Sequence, residues 1–268
     1  MSEQPTFEVA FLGRFQDAYL KYQHAQTHLA TLVGLFNELL QDSWWQPEKI
    51  DGAPNGTVRI NLLREPTSKW SLIIGDLIHN LRGCLDYATC GMIDLADHSA
   101  NLARIQFPFG RPGLALNADE RKRLNGLGSE AIARIEEIRA AHSADLHLVN
   151  LLSNQDKHRL LLPVTVRQVP MTMTIDEASN TASIDEDIDG AVEVWIKEIK
   201  NGDEMPMPEM LKLGIALIIE DEPRPFPLRD IERVNKSVWD AFMMICMTER
   251  GLLTCPSDDT SAIPLRGS

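Results

Sequence analysis

The chain has 268 residues, of which 44% are hydrophobic and 24% charged, and its net charge at pH 7 is −13. This composition is typical of a globular protein with a sizeable core, and it excludes a collagen-like, coiled-coil or wholly disordered chain. The charge disfavours nucleic-acid binding driven by overall attraction, unless a local basic patch overrides the average. The sequence has neither a signal-peptide pattern nor an apolar run of transmembrane length, so we expect a cytoplasmic protein without membrane contact.

Helical periodicity dominates the first third of the chain. Apolar residues at three-and-four spacing predict one long helix over 11–41. Turn signals then predict a loop over 43–56, and alternating apolar residues predict a short extended piece over 57–64. A second long helix is predicted over 69–96, where Thr67 and Ser68 are good N-cap residues.

Three shorter helices are predicted next. The residue pattern places their starts near Asn117, Ser129 and Ser143, and the last one ends near Arg159. The apolar period then changes, and three segments become strand candidates: residues 160–175, 191–199 and 211–220. A final amphipathic helix is predicted over residues 228–252.

Helices followed by strands and one closing helix indicate an α+β fold. We expect a single domain, mainly a helical bundle, with a small antiparallel sheet of about three strands inserted before the C-terminal helix. Its predicted parts are a helical bundle (7–162), an acidic sheet segment (163–222), a closing helix (227–253) and a flexible tail (254–268).

The negative charge is concentrated in one segment. Residues 176–222 contain 14 acidic and three basic residues, and so carry −11 of the net charge of −13. A solvated edge that keeps the protein soluble is one interpretation. The alternative is a docking surface for a basic protein partner.

A polar stripe runs along the predicted second helix, opposite its apolar face. It comprises Asp76, His79, Asn80, Gly83, Asp86, Tyr87 and Cys90, and Arg82 lies at its border, four residues before Asp86. Glycine in mid-helix costs about 1 kcal/mol relative to alanine, so Gly83 predicts close approach of another backbone or a ligand. The stripe is either a buried hydrogen-bond network or a functional site.

A second polar cluster, Asn154-Gln155-Asp156-Lys157-His158-Arg159, ends the helix that starts near Ser143. Cations in a last helical turn are favoured by the helix dipole, so this cluster is either structural capping or part of a site.

Together the two clusters supply groups that phosphate chemistry uses. His79 or His158 would act as a base, and Arg82 and Lys157 would stabilise phosphate charge. The candidate catalytic residues are therefore His79, Arg82 and His158. The candidate substrate-binding residues are Asp76, Asn80, Asp86, Asn154, Asp156 and Lys157. Because no tight metal-ligand spacing is present, we expect no metal and no other cofactor. A metal-dependent hydrolase, with His79, His158 and a carboxylate as ligands, is a third option.

Three blocks of the sequence stand out: Gly75-Asp76-Leu77-Ile78-His79-Asn80-Leu81-Arg82 with Leu85-Asp86, then Phe107-Pro108, and then residues 154–159. Together they resemble a group of uncharacterised bacterial and phage proteins. A more distant resemblance is to HEPN domains, which are helical bundles, often dimeric, of toxin and defence ribonucleases. In that comparison Asn80 and Arg82 match the first part of the HEPN site. Tyr87 stands where the HEPN histidine is expected. The resemblance then implies either a fold that binds RNA without cleaving it, or a site in which Arg82 acts with His79 or His158 instead.

Two functions follow as expectations. The first is a HEPN-like bacterial protein that binds or cleaves RNA or nucleotides in stress or phage defence, with a homodimer as its assembly. The second is a non-catalytic protein-interaction module whose polar clusters form a buried structural network. The sequence leaves open whether the protein is an enzyme.

Overall fold

A computed structural model describes residues 15–40, 43–53, 57–96, 102–158, 162–169, 172–176, 181–185, 198–206, 212–220, 222 and 225–247. The helices in these ranges are α1 (Gln16–Leu40), α2 (Ser68–Ala96), α3 (Ala118–Lys122), α4 (Ser129–Ala141), α5 (Ser143–His158) and α6 (Ile231–Met247). The strands are β1 (Trp45–Lys49), β2 (Thr57–Leu62), β3 (Val164–Val169), β4 (Thr172–Asp176), β5 (Thr181–Asp185), β6 (Glu204–Pro206), β7 (Lys212–Leu217) and β8 (Phe226–Pro227). The predicted α+β class with mainly helical content is confirmed.

Helix α2 lies at the centre of the packing and contacts α1, α5 and α6. The apolar arc predicted from its sequence is buried, with Ile74, Leu77, Leu81 and Leu85 fully inaccessible. A helix that packs on three neighbours buries most of its circumference, and its polar residues then have to find partners on those neighbours. The hydrophobic core continues from these helices into strands β2, β3 and β7.

The strands form three antiparallel sheets within the described ranges, with the orders β1-β2-β6, β3-β7-β8 and β4-β5. Strands therefore also precede α2, and are not confined to the segment before the last helix. Strand β6 joins the acidic segment to β2, in the register Thr57↔Pro206 and Arg59↔Glu204. Arg59 and Glu204 also form an ion pair at 2.8 Å across this edge.

The prediction of a loop over 43–56 was wrong at 45–49, which is strand β1. It pairs with β2 from Trp45↔Leu62 to Lys49↔Val58. Pro47 lacks an N–H and disfavours a strand, but β1 is an edge strand, where one missing donor is tolerated. Trp44 is buried in the core beside this strand.

Helix ends agree with the sequence to within a few residues. Asn117 caps α3 in a capping box: its Oδ1 accepts from the N–H of Asp119 and of Glu120, each at 2.9 Å, and Glu120 accepts in return from the Asn117 N–H. The N-cap of α4 is Gly128, and Ser129, near which the sequence places the start of this helix, is its first helical residue. Ser143 likewise lies inside α5.

Some predictions fall outside the described residues. These include residues 7–14, most of the strand candidate 191–199, the tail 254–268 and much of the acidic segment 176–222. None of the described helices is long and apolar enough to cross a membrane.

Candidate functional site

The two polar clusters meet where α2 packs against α5. Nη1 of Arg82 on α2 donates to Oδ1 of Asn150 at 2.8 Å and to Oδ1 of Asn154 at 3.1 Å, both on α5. Asn154 in turn donates from Nδ2 to Asn150 Oδ1 at 3.4 Å. These contacts join residues separated by about 70 positions in the sequence, and we call them the α2–α5 network.

Arg82 is the buried centre of this network. Only 7% of its surface is exposed. Its Nε lies 3.7 Å from Oδ2 of Asp86, the predicted i,i+4 pair, and its guanidinium lies 5.1 Å from the ring centroid of Phe109. Burial lowers the pKa of Arg82, and the neighbouring Asp86 opposes that shift. The guanidinium is therefore held by two amides, a carboxylate and an aromatic face, as a buried charge requires.

Asp86 connects the network to the segment after α2. Its Oδ1 accepts a hydrogen bond from the backbone N–H of Phe107 at 2.8 Å. Burial raises the pKa of Asp86, while the Phe107 N–H, Arg82 and Lys157 lower it. The Phe107-Pro108 break is thus fixed to the same carboxylate that pairs with Arg82.

The close approach expected at Gly83 occurs instead at Gly75. A Cβ added at Gly75 would lie 2.7 Å from Oδ1 of Asp156, a distance that real Cβ atoms do not reach. At Gly83 the nearest atoms are side-chain carbons of Lys21 at 3.5 Å, an ordinary van der Waals contact. The prediction of a close backbone at Gly83 was therefore wrong, because the nearest atoms there belong to the aliphatic part of the Lys21 side chain on α1.

His79, Asp76 and Asp156 form the exposed edge of the α2–α5 contact. Both His79 and Asp76 are exposed, and Asp156 is half-buried. Partial burial raises the pKa of Asp156, the charge of Asp76 raises it further, and His79 lowers it. A solvent-facing imidazole beside a carboxylate is an arrangement that can accept a proton.

Lys157 supplies an exposed cation that interacts electrostatically with Arg82 and Asp86. Burial lowers the pKa of Lys157, repulsion from Arg82 lowers it further, and Asp86 raises it. The backbone of His158 belongs to α5, but its side chain lies outside the described part of the structure.

Asn80 differs from the other predicted site residues because it faces α1. Its Oδ1 accepts from Lys21 Nζ at 3.4 Å, and its Nδ2 donates to the backbone oxygen of Asp76 at 2.8 Å. The α2–α5 contact therefore gathers Asp76, His79, Arg82, Asp86, Asn154, Asp156 and Lys157.

Two residues of the network were missed from the sequence. Asn150 was a detectable candidate, because it precedes Asn154 by one helical turn and so shares its face. Phe109 lies in an irregular segment, where no periodicity points to a contact with Arg82. Within the described residues, no group of three His, Cys, Asp or Glu residues could hold a metal ion.

Comparisons with protein-family models, curated proteins and solved structures gave no match for this chain.

Proposed function

We propose that this protein binds RNA or a nucleotide at the α2–α5 contact, in the manner of a HEPN-like helical protein. The observation that supports this proposal is the meeting of the two polar blocks at one place. Their junction presents an exposed cation, Lys157, and an exposed imidazole, His79, together with the buried Arg82. Phosphate recognition needs a positioned cation, and proton transfer needs a base that solvent or substrate can reach.

Each exposed residue has a separate proposed role. Lys157 would contact a phosphate oxygen, because the attraction of Asp86 on its charge is opposed by repulsion from Arg82. His79 would accept a proton from a ribose hydroxyl or a water, oriented by Asp156. Arg82 already donates to two asparagine side chains and is buried, so its role is to position α5 against α2 and not to touch the ligand.

The test is RNA and nucleotide binding by fluorescence anisotropy over a range of salt concentrations. Lys157→Ala should weaken binding by roughly three- to tenfold and reduce the slope of log K against log salt by about 0.7, as expected for one lost phosphate contact on a single strand. Lys69→Ala, which removes an exposed lysine on α2 away from the network, is the matched control and should bind like the wild type. The proposal would be contradicted if the wild type bound neither RNA nor a nucleotide, or if Lys157→Ala and Lys69→Ala bound with equal affinity.

Cleavage is tested separately with His79→Ala. If the wild type cleaves RNA, this variant should lose cleavage and keep most of its affinity, whereas His24→Ala on the exposed face of α1 should keep both cleavage and affinity. Cleavage by His79→Ala at the wild-type rate would remove His79 as the base.

A second candidate function rests on the burial of Arg82 in a fully bonded network. In a non-catalytic protein-interaction module the α2–α5 network would serve only to fix helix packing. That candidate is favoured if variants of His79 and Lys157 have no effect on any ligand while variants of Arg82 lower stability.

A further inference from the structure

A cavity of about 810 Å³ lies next to the α2–α5 network. Its walls come from the segment 109–120, Arg123, α4 and the first half of α5. Asn150, which accepts from Arg82, is also one of the lining residues, so the cavity and the network share a wall. The volume is within the range of ordinary small-molecule sites, roughly 300–1,000 Å³.

Cationic side chains converge on this cavity. Arg111 and Arg123 line it and are exposed, and among the described residues neither guanidinium forms an ion pair with a carboxylate. His147 also lines it, and its Nδ1 lies 2.7 Å from the backbone oxygen of Gly110. Because a carbonyl oxygen only accepts, Nδ1 carries the hydrogen and Nε2 is the remaining polar atom of the ring.

The two acidic residues of the cavity wall are already engaged. Asp119 pairs with Lys122 at 3.0 Å. Glu120 accepts from the Asn117 N–H at 2.9 Å and lies 3.6 Å from Nη2 of Arg139. The wall therefore keeps an excess of positive charge, although the whole chain has a net charge of −13.

Arg139 is buried at the cavity wall, and one of its N–H donors has no hydrogen-bond acceptor among the described residues. Its Nε is inaccessible and has no acceptor within the described structure, while its Nη2 donates to the Leu114 oxygen at 3.4 Å. The guanidinium occupies the space beside Gly110, where a Cβ would lie 1.6 Å from Nη2, and Gly110 has φ +59°. Only glycine fits there, so the backbone is shaped to admit this arginine.

We infer that this cavity binds the phosphate group of a small phosphorylated molecule with an apolar body. Guanidinium groups match phosphate oxygens in geometry and charge, and Arg111 and Arg123 are exposed and form no ion pair among the described residues. A small movement of Arg139 toward a phosphate would give its Nε–H an acceptor. Phe109, Leu114 and Leu151 provide the apolar part of the wall. The inference does not depend on the proposed function, because neither His79 nor Lys157 lines the cavity.

The test compares thermal stabilisation by inorganic phosphate and by phenyl phosphate at constant ionic strength. Phenyl phosphate carries an aromatic body without being a nucleotide, so it does not probe the proposed RNA site. Both compounds should raise the Tm of the wild type, and phenyl phosphate should do so at a concentration at least tenfold lower. The double variant Arg111→Gln/Arg123→Gln should lose these shifts. Arg134→Gln, on α4 but not in the cavity wall, should keep them.

The outcomes separate clearly. Equal shifts of Tm in the wild type and in all variants would be explained by the general stabilising effect of phosphate salts, and would overturn the inference. No shift in the wild type, or no advantage of phenyl phosphate, would also overturn it. If the double variant does not fold, as judged by circular dichroism, the two single variants provide the same comparison, each expected to weaken the response at least threefold.

Discussion

Removal of the Arg82 side chain should destabilise the protein strongly. Arg82→Ala deletes two hydrogen bonds from a charged donor, at 2.8 and 3.1 Å, and leaves Asp86, Asn150 and Asn154 without their shared partner. Each hydrogen bond to a charged group contributes about 1.5–3 kcal/mol, and the cost of burying the guanidinium offsets part of that sum. We therefore expect a loss of about 2–4 kcal/mol in the free energy of unfolding, which corresponds to a fall in Tm of roughly 4–16 °C.

The assay is urea unfolding, followed by circular dichroism, with Arg134→Ala as the control. Arg134 forms a solvent-accessible pair with Glu137 at 2.8 Å on α4, and such pairs contribute only about 0–1 kcal/mol. A loss in Arg82→Ala of less than about 1 kcal/mol relative to that control would refute the account of the network, because Arg82 itself is buried and donates two charge-assisted hydrogen bonds.

The remaining predictions concern Gly83 and Gly75 of α2, the carboxylate of Asp156 that Gly75 faces, and the thiol of Cys246. Gly83→Ala should raise stability by about 0.5–1 kcal/mol, since it gains helix propensity and meets only the Lys21 stem at 3.5 Å. Gly75→Ala gains the same helix propensity, but its Cβ displaces the Asp156 carboxylate. Thermal unfolding should therefore show a net loss of about 1–2 kcal/mol in the free energy of unfolding. A gain equal to that of Gly83→Ala would contradict the packing at Gly75. The raised pKa of Asp156 means that the folded state binds a proton more readily than the unfolded state. This group's contribution to stability therefore falls as pH rises from below its ordinary pKa of 3.8 through the raised folded pKa. Asp156→Asn should accordingly have a higher Tm than the wild type at pH 7, and the difference should shrink toward pH 4; a difference independent of pH would show that the carboxylate is not perturbed. The thiol of Cys246 has a pKa of about 12 through burial, so alkylation at pH 8 should modify it only after unfolding.

The helices could be predicted from sequence because their signals are local. The apolar spacing of α2 and α6, and the capping box at Asn117, are set within a few residues of each element. Strand β1 was missed because its evidence is not local: Pro47 argues against a strand, and only pairing with β2 stabilises one there.

The site was predictable in part for the same reason. The polar faces of α2 and α5 are visible as helical periodicities, but their contact through Arg82 depends on how two distant helices pack. The identity of the glycine in close contact, Gly75, also depends on that packing. The cavity was missed altogether, because Arg111, Arg123 and Arg139 come from separate elements and share no spacing.

The most direct test of the proposed function is NMR of the histidine ring signals during titration with RNA or a nucleotide. The signal of His79 is assigned by its absence in His79→Ala, and that of His24 in the same way. We expect ligand to shift the His79 signal in a saturable manner and to leave His24 unchanged. A saturating ligand that shifts His24 and leaves His79 unchanged, or that shifts neither, would contradict binding at the α2–α5 contact.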